Sequence, residues 1–292
     1  VPELASRAHQ KNIVPVIHEA LRIAKIDKSE IDAIAYTRGP GLMGSLLVGG
    51  SFAKGFSLAL NKPLISVNHM QGHILSHFIN NNLYNPPKFP FLCLTVSGGH
   101  TQIVLVKDFL DMSVIGQTID DAAGEAFDKS AKVLGLDYPG GPLIDKFSKN
   151  GNINAFKFAK PKIKNLDFSF SGLKTSIMNL INNEKSKNSN FISENLEDLC
   201  ASIQHSIVNI LLEKIKLASL NTGIKNIAIA GGVSANSYLR DQLLKLNSFN
   251  VYIPKFEYCT DNAAMIAVAG YYKFLNKELG NLKETSSARL NF

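Results

Sequence analysis

The chain has 292 residues, of which 45% are hydrophobic and 19% are charged, and its formal net charge is +7. This composition is that of an ordinary folded protein, long enough for two lobes. It holds no uninterrupted apolar run of the roughly 18 residues that a membrane-spanning helix needs, so no membrane segment is expected. The positive charge permits a polyanionic partner such as nucleic acid without requiring one.

The first part of the chain alternates between helix and strand signals. Apolar residues recur at helical spacing over 9–26, and a run rich in small residues predicts a second helix over 41–60. Short apolar runs predict strands over 31–40 and 63–67. The stretch 89–106 predicts two strands joined at a glycine pair, which is a hairpin signal.

The remaining elements continue this alternation. Helices are predicted over 120–135, 196–220 and 260–275. The run "NIAIAGGVSANSYLRDQLLKL" predicts a strand, a glycine turn and a helix, and 250–254 predicts a further strand. The polar stretch 181–195 is predicted to be a flexible loop. The pattern is that of an α/β protein.

Cysteine usage indicates a reducing compartment. The three cysteines are Cys93, Cys200 and Cys259, an odd number at wide spacing. This favours reduced, buried thiols over a disulfide framework. A cytoplasmic location is therefore expected.

The segment "SVNHMQGHILSHF" places His69, His73 and His77 at every fourth position, so that a helix would present all three rings on one face. A pair of histidines with this spacing can hold one metal ion. Ordinary surface or core histidines are the alternative. A zinc peptidase is disfavoured, because the position after His69, where such enzymes carry a glutamate base, is Met70.

A bound ion would need a third, distant ligand, and a carboxylate is the best candidate. Asp261 lies in "EYCTDNAAM", between a predicted strand and the start of a helix. The alternative role for Asp261 is to cap that helix.

Glycine-containing turns provide candidate anion sites. "TVSGGHTQ" places Ser97, Gly98 and Gly99 at a hairpin turn, where backbone N–H groups can approach an anion. "AGGVSAN" places a glycine pair between a strand and a helix start. "YPGGP" and "RGPGLMGSLL" are further close-approach loops. Each of these turns can equally be structural, and none is a P-loop.

Charged residues form two further groups. Asp120, Asp121, Glu125 and Asp128 cluster in "IDDAAGEAFDK", and Asp145 follows the glycine loop, where it could accept hydrogen bonds from ribose. The second group interleaves basic and aromatic residues, which could bind phosphates and stack on bases, or could be a lysine-rich loop over core-facing phenylalanines. Its members are Lys157, Lys160, Lys162, Lys164, Lys174, Phe156, Phe158, Phe168 and Phe170.

The order of these motifs resembles one family. The blocks "VPELASRAH", "GPGLMGSLLVG", "NHMQGH", "VSGGHTQ", "DDAAGEAFDK", "YPGGP", "FSFSGLKT" and "AGGVSAN" are similar to those of the tRNA N6-adenosine threonylcarbamoyltransferases, formerly described as O-sialoglycoprotein endopeptidases. The resemblance extends from Val1 to at least Asp261.

This resemblance implies an actin-like, sugar-kinase-like (ASKHA) α/β fold of two lobes, each an RNase-H-like sheet flanked by helices, with a nucleotide in the cleft between them. We expect the first lobe over 1–88 and 262–292 and the second over 89–261. The family's opening strands are expected to be missing before Val1.

The implied activity is an acyl transfer. The threonylcarbamoyl group passes from threonylcarbamoyl-AMP to the N6 amine of the adenosine 3′ of the anticodon, in tRNAs that read codons beginning with A. A non-catalytic actin-like scaffold subunit, or less plausibly a metallopeptidase, is the alternative.

The resemblance also assigns the site. It implies one divalent ion, Fe²⁺ or alternatively Zn²⁺, on His69, His73 and Asp261, and leaves His77 with a structural role. No general base is identified. The implied contacts to the nucleotide, either threonylcarbamoyl-AMP or ATP, are Thr95, Val96, Ser97, Gly98, Gly99, Asp128, Gly141, Asp145 and Asn236.

One departure from the family concerns the ion, because Gln71 stands where a glutamate is usual and removes a negative charge near it. The implied partners are tRNA, a paralogous actin-like scaffold subunit of the TsaB type and a small ATPase of the TsaE type. The lysine-rich segment before "FSFSGLKT" is our hypothesis for part of the tRNA surface.

Overall fold

The computed structural model describes residues 2–79 and 85–292. The chain forms two compact units, one comprising Val1–Tyr84 with Asn262–Phe292 and the other Asn85–Asp261. The division expected from the sequence lies after residues 88 and 261.

The first unit contains a two-stranded parallel sheet, β1 (Ile34–Gly39) and β2 (Leu64–Asn68). Tyr36, Ala53 and Leu64 form a buried apolar cluster at this sheet. The helices of the unit are α1 (Pro2–Ala24), α2 (Met43–Leu60), α3 (His69–Leu75) and, from the end of the chain, the helix Ala263–Leu275.

One helix among the described residues, α2, is long and apolar enough to cross a membrane by length and composition alone. Core helices of soluble proteins pass the same test. Its apolar sequence is interrupted by Lys54, whose Nζ donates to the Glu284 carbonyl. The helix packs on α1 and β1.

The second unit is built on a five-stranded mixed sheet of order β5-β4-β3-β6-β7. The central strand β3 pairs antiparallel with β4 and parallel with β6, with Leu94 opposite Ile103 and Ile229. All six residues of β3, the central strand, are buried, and α8 packs against this strand. The strands are β3 (Phe91–Val96), β4 (Thr101–Val106), β5 (Met112–Gln117), β6 (Asn226–Ala230) and β7 (Asn250–Tyr252).

The helices of this unit cover the sheet and enclose the largest apolar core of the described residues. The long helix α8 begins with two acidic residues, Glu197 and Asp198, which suit the positive end of a helix, and it ends at Gly223 in the left-handed conformation. The helices are α4 (Ala123–Val133), α5 (Gly140–Phe147), α6 (Ser171–Lys185), α7 (Phe191–Glu194), α8 (Leu196–Thr222) and α9 (Ser237–Leu244), after which the helix of the first unit is α10 (Ala263–Leu275).

One prediction about local structure was wrong. The stretch 181–195, predicted as a loop, contains the last turn of α6 and all of α7. The "YPGGP" segment leads into α5, which begins at its first glycine, Gly140. The three cysteines are free and buried, as the sequence predicted.

Candidate functional site

The histidine pair is carried by α3, which starts directly at the carboxyl end of β2. Asn68 caps this helix, since its side chain accepts hydrogen bonds from the backbone N–H groups of Met70 at 2.9 Å and Gln71 at 3.4 Å. The rings of His69 and His73 stand edge to face, with centroids 4.8 Å apart and an interplanar angle of 84°. His73 is buried and His69 is half-buried. The helix therefore presents two imidazoles to one point.

Asp261 reaches the same point from the start of α10. Asn262, not Asp261, caps that helix, because its side chain accepts from the Met265 N–H at 2.9 Å. This excludes the capping role that was the sequence-based alternative for Asp261. Ligand atoms of His69, His73 and Asp261 all lie within 4.8 Å of one another.

Close helix packing places α10 against α3. A Cβ on Gly72 would lie only 3.0 Å from Ile266 Cδ1 and 3.3 Å from the Met265 carbonyl oxygen, so the two helices approach at a position without a side chain. Gly72 lies between the two histidines. The glycine inside "HMQGH" thus lets α10, and the aspartate before it, approach the imidazole pair.

The three side chains fit a divalent ion of the first transition series. Two imidazole nitrogens and one carboxylate oxygen are the donor set typical of Zn²⁺ and non-haem Fe²⁺ sites. Ligands about 2.1 Å from one ion lie at most about 4.2 Å apart, so a small side-chain rotation suffices to bind one. Asp261 is exposed while His73 is buried, which leaves the side of the carboxylate open to a substrate.

His77 does not join this group. Its side chain is 1% exposed and belongs to the 3-10 turn Ser76–Phe78, which follows the end of α3. Among the described residues, the group of potential metal ligands comprises His69, His73 and Asp261 alone.

The predicted hairpin turn after β3 is present. The Ser97 N–H donates to the His100 carbonyl at 2.8 Å, and the His100 N–H donates to Ser97 Oγ at 3.1 Å. A Cβ on Gly98 or Gly99 would meet nothing within 4 Å, so both glycines border open space. Their backbone is therefore accessible to a ligand.

Thr95 and Val96 differ from that turn because both are fully buried in β3. Thr95 Oγ1 donates to the Gln102 carbonyl at 3.3 Å. The side chains of these two residues are therefore inaccessible to a ligand, and their strand leads into the turn.

Two glycines bring other elements to the end of β3. Gly231 follows β6 with φ +88°, and a Cβ there would lie 2.5 Å from the Val96 carbonyl oxygen. A Cβ on Gly124, in the first turn of α4, would lie 2.5 Å from the Ser97 carbonyl oxygen. The carboxyl ends of β3 and β6 and the start of α4 thus meet at one edge of the sheet, the position where open α/β sheets bind ligands.

The remaining candidate contacts surround that edge. Asp128 Oδ1 accepts from the N–H groups of Gly140 at 2.8 Å and Gly141 at 3.4 Å, and so caps α5. One turn along α5, the Asp145 carboxylate accepts from the N–H and hydroxyl of Ser237 at 3.1 and 2.7 Å. Both carboxylates join neighbouring elements.

Asn236 has its amide engaged on both sides. Its Oδ1 caps α9 by accepting from the Leu239 N–H at 2.9 Å, and its Nδ2 donates to Gln204 Oε1 at 2.6 Å. Gln204 Nε2 in turn donates to Ser148 Oγ at 2.6 Å. Gln204 and Ser148 were not expected from the sequence, since nothing in the local sequence of either residue marks it as a buried partner of Asn236.

The acidic cluster that precedes α4 is largely neutralised. Asp121 pairs with Lys129 at 2.8 Å and Lys174 at 3.4 Å, while Glu125 pairs with Lys129 at 2.6 Å. Partial burial acts to raise the pKa of Asp121, but the lysine hydrogen bonds outweigh burial and hold that pKa below its usual range. The Asp120 carboxylate accepts from the Ser169 hydroxyl and the Phe170 N–H. The cluster ties α4 to the start of α6.

The basic and aromatic residues are separated by burial. Phe168 and Phe170 are fully buried in the core, and Phe156 and Phe158 pack against it. Base stacking on Phe168 and Phe170 is therefore excluded, and the core-facing strip that was the alternative is observed. The four lysines of the loop are exposed, and one of them pairs with Glu213; they are Lys157, Lys160, Lys162 and Lys164.

Comparison with known proteins gives concordant matches. The model of the family described as "TsaD: tRNA N6-adenosine threonylcarbamoyltransferase" matches residues 1–268. A protein of that name from Christiangramia forsetii is 59% identical over 100% of this chain and 87% of its own length. One from Riemerella anatipestifer is 60% identical over 99% of this chain and 86% of its own length.

Solved structures show the fold. Full-length HypF in a phosphate- and nucleotide-bound form matches 89% of this chain with a TM-score of 0.62 and 15% identity, and this chain spans 41% of HypF. HypF from T. kodakarensis matches 91% of this chain, also with a TM-score of 0.62 and 15% identity, over 43% of its length. The α/β fold expected from the sequence is confirmed, and it is the fold of the matched part of HypF.

Proposed function

The chain belongs to the tRNA N6-adenosine threonylcarbamoyltransferase family, and on that premise we propose the reaction in detail. It transfers the threonylcarbamoyl group from threonylcarbamoyl-AMP to the N6 amine of the adenosine 3′ of the anticodon, in tRNAs that read codons beginning with A. The protein is thus an acyltransferase that modifies tRNA. The observation that carries the proposal is the convergence of His69, His73 and Asp261 in a chain of this family.

We assign a single divalent ion to that group, Fe²⁺ or alternatively Zn²⁺, because both accept two imidazoles and one carboxylate. When bound, the ion would act as a Lewis acid that stabilises negative charge developing on the attacked carbonyl. Gln71, in the first turn of α3, adds no charge to this environment.

We assign the nucleotide part of the donor to the carboxyl ends of β3 and β6. The backbone N–H groups of Gly98 and Gly99 in the open turn would be donors to the phosphate that leaves with AMP. Gly141, Asp145 and Asn236 lie on the elements that border this edge. Asp128 and Asp145 contribute by holding α5 and α9 in position and by offering their remaining lone pairs to ribose hydroxyls.

Positioning supplies much of the acceleration in this proposal. Neutral adenine amine is a weak nucleophile, so the site must hold it next to the carbonyl of the mixed anhydride. The attack forms the N6–carbonyl bond, the carbonyl–phosphate bond breaks, AMP leaves with the electron pair, and the amine loses one proton. The described residues do not single out the base that takes this proton.

The proposed macromolecular partners are tRNA, a paralogous actin-like scaffold subunit and a small ATPase, acting in the cytoplasm. The exposed lysines of 157–164 support tRNA binding.

Reconstitution tests the proposal. The protein is incubated with threonylcarbamoyl-AMP, unmodified tRNA and the proposed partner proteins, with Fe²⁺ or Zn²⁺ and with or without a chelator, and nucleosides are analysed by mass spectrometry. We expect modified adenosine that depends on the metal. Absence of the modified nucleoside under every condition would instead favour the non-catalytic scaffold.

A further inference from the structure

The last residues of the chain cross the carboxyl end of β1. The Ser287 N–H donates to the Arg38 carbonyl at 3.0 Å, and the Gly41 N–H donates to the Ala288 carbonyl at 3.3 Å. The Arg38 Nε donates to the Thr285 carbonyl at 3.0 Å. We name residues 285–291 the C-terminal strap.

Gly39 allows the strap to lie there. Its φ is +157°, and a Cβ at this position would lie 2.0 Å from the Ser287 carbonyl oxygen. Any side chain at residue 39 would therefore displace the strap. Gly39 pairs with Asn68 in the sheet, and Asn68 directly precedes α3. The strap therefore passes over the residue that lies opposite Asn68.

The strap reaches α3 through the side chain of Asn68. Asn68 Nδ2 donates to the Asn291 carbonyl at 3.0 Å, while Oδ1 of the same amide accepts from Met70 and Gln71. The side chain is only 7% exposed. Because the amide nitrogen is held by the strap, the amide oxygen is fixed in the orientation that caps the helix.

We propose that the C-terminal strap is a positioning element for the metal group, acting through Asn68. Asn68 precedes His69, and its cap orders the first turn of α3, from which His69 and His73 project. The Asn291 carbonyl thus helps to orient the helix that carries the two histidines, as a hydrogen-bond partner behind a metal ligand orients that ligand. The family model ends at residue 268, so the strap lies outside the match. The inference rests on the metal centre proposed above.

Two truncations of the chain test it. A chain ending at Ala288 loses the carbonyl that Asn68 contacts, whereas a chain ending at Asn291 retains an acceptor there and is the matched control. Co²⁺ affinity is measured from its visible ligand-field absorption, and amide hydrogen exchange is measured at Met70 and Gln71 without metal. We expect about tenfold weaker Co²⁺ binding and faster exchange in the chain that ends at Ala288, and neither change in the control.

A double-mutant cycle identifies Asn68 as the link. Asn68→Asp keeps a good helix cap but removes the Nδ2 donor. Its added charge is present in both the truncated and the full chain, so the direct effect of that charge on Co²⁺ affinity cancels when the two are compared. We expect truncation at Ala288 to have no further effect on Co²⁺ affinity in the Asn68→Asp background.

The outcomes separate the two proposals. Equal Co²⁺ affinities and exchange rates in all chains, or a full truncation effect persisting with Asn68→Asp, would overturn the role of the strap while leaving the metal centre intact. Failure of the full-length chain to bind Co²⁺ would refute the metal centre, and with it the link from strap to metal.

Discussion

At the scale of single residues, neighbouring histidines differ in whether they belong to the candidate metal group. His73 and His77 are four residues apart and both are 1% exposed. The α-helix ends at Leu75 and continues as a 3-10 turn, so the spacing of 100° per residue does not extend to His77. Only His73 faces His69 and Asp261.

This difference predicts the effect of removing each imidazole. His73→Ala is expected to weaken Co²⁺ or Zn²⁺ binding by at least tenfold, because one of three protein ligands is removed. His77→Ala removes an equally buried ring and is expected to leave the dissociation constant within about twofold. Titration with each metal, accompanied by thermal unfolding of both variants, makes the comparison. Equal losses of metal affinity would mean that the effect is one of packing and not of ligation.

At the scale of elements, the segment before α4 and the segment before α6 are joined by both backbone and side chains. The Phe168 N–H donates to the Gln117 carbonyl at 2.9 Å, and the Ile119 N–H donates to the Phe168 carbonyl at 3.0 Å. Asp121 adds ion pairs to Lys129 of α4 and Lys174 of α6. The loop with the exposed lysines therefore ends in an anchored segment.

The ion pairs of Asp121 predict a pH-dependent contribution to stability. Since the folded-state pKa of Asp121 is lowered, its contribution is present above the unfolded pKa of about 3.9 and is lost as the pH falls through the folded value. Asp121→Asn is expected to reduce the free energy of unfolding by roughly 0.5–1 kcal/mol at pH 7. The difference from the unsubstituted chain should be smaller at about pH 2.5 than at pH 7.

Denaturant unfolding at the two pH values measures this effect. Glu125→Gln is the matched control, because Glu125 pairs with the same Lys129 but is 42% exposed, and a loss of only about 0.3–0.5 kcal/mol is expected for it. A difference between Asp121→Asn and the unsubstituted chain that persists unchanged at low pH would contradict the ion-pair explanation.

At the scale of the whole molecule, part of the net charge of +7 is concentrated in one exposed segment. Lys157, Lys160, Lys162 and Lys164 are all exposed there, and Lys160 also pairs with Glu213. Lys214 Nζ donates to the carbonyls of Ile163 and Asn165 and fixes the end of this segment to α8. Several lysines on a segment that is fixed in this way can neutralise phosphates of a nucleic-acid backbone.

Charge reversal of Lys160, Lys162 and Lys164 to glutamate is therefore expected to weaken tRNA binding. The slope of log affinity against log salt should fall by about 0.7–0.9 for each phosphate that the segment no longer neutralises. Reversal of Lys185, Lys187 and Lys245, which are exposed outside the segment, changes the net charge equally and serves as the control. An unchanged slope in the first variant would remove this segment from the tRNA surface.

The sequence by itself determined the features that a few neighbouring residues encode. Helical spacing placed His69 and His73 on one face, strand alternation with glycine turns predicted the α/β pattern, and the order of motifs identified the family. The loop predicted over 181–195 failed, because packing of Ile181 and Phe191 against the core stabilises helices that polar composition alone disfavours.

Only the tertiary structure decided which side chains meet and which are already engaged. Asp261 approaches the histidines because α10 packs against α3 at Gly72, and Asn262 rather than Asp261 caps that helix. The burial of Phe168 and Phe170 likewise follows from contacts with elements distant in the chain. Local sequence patterns indicate the conformation of one segment, whereas a site depends on contacts between segments. The free energy of those contacts comes from packing between segments, which no single stretch of sequence contains.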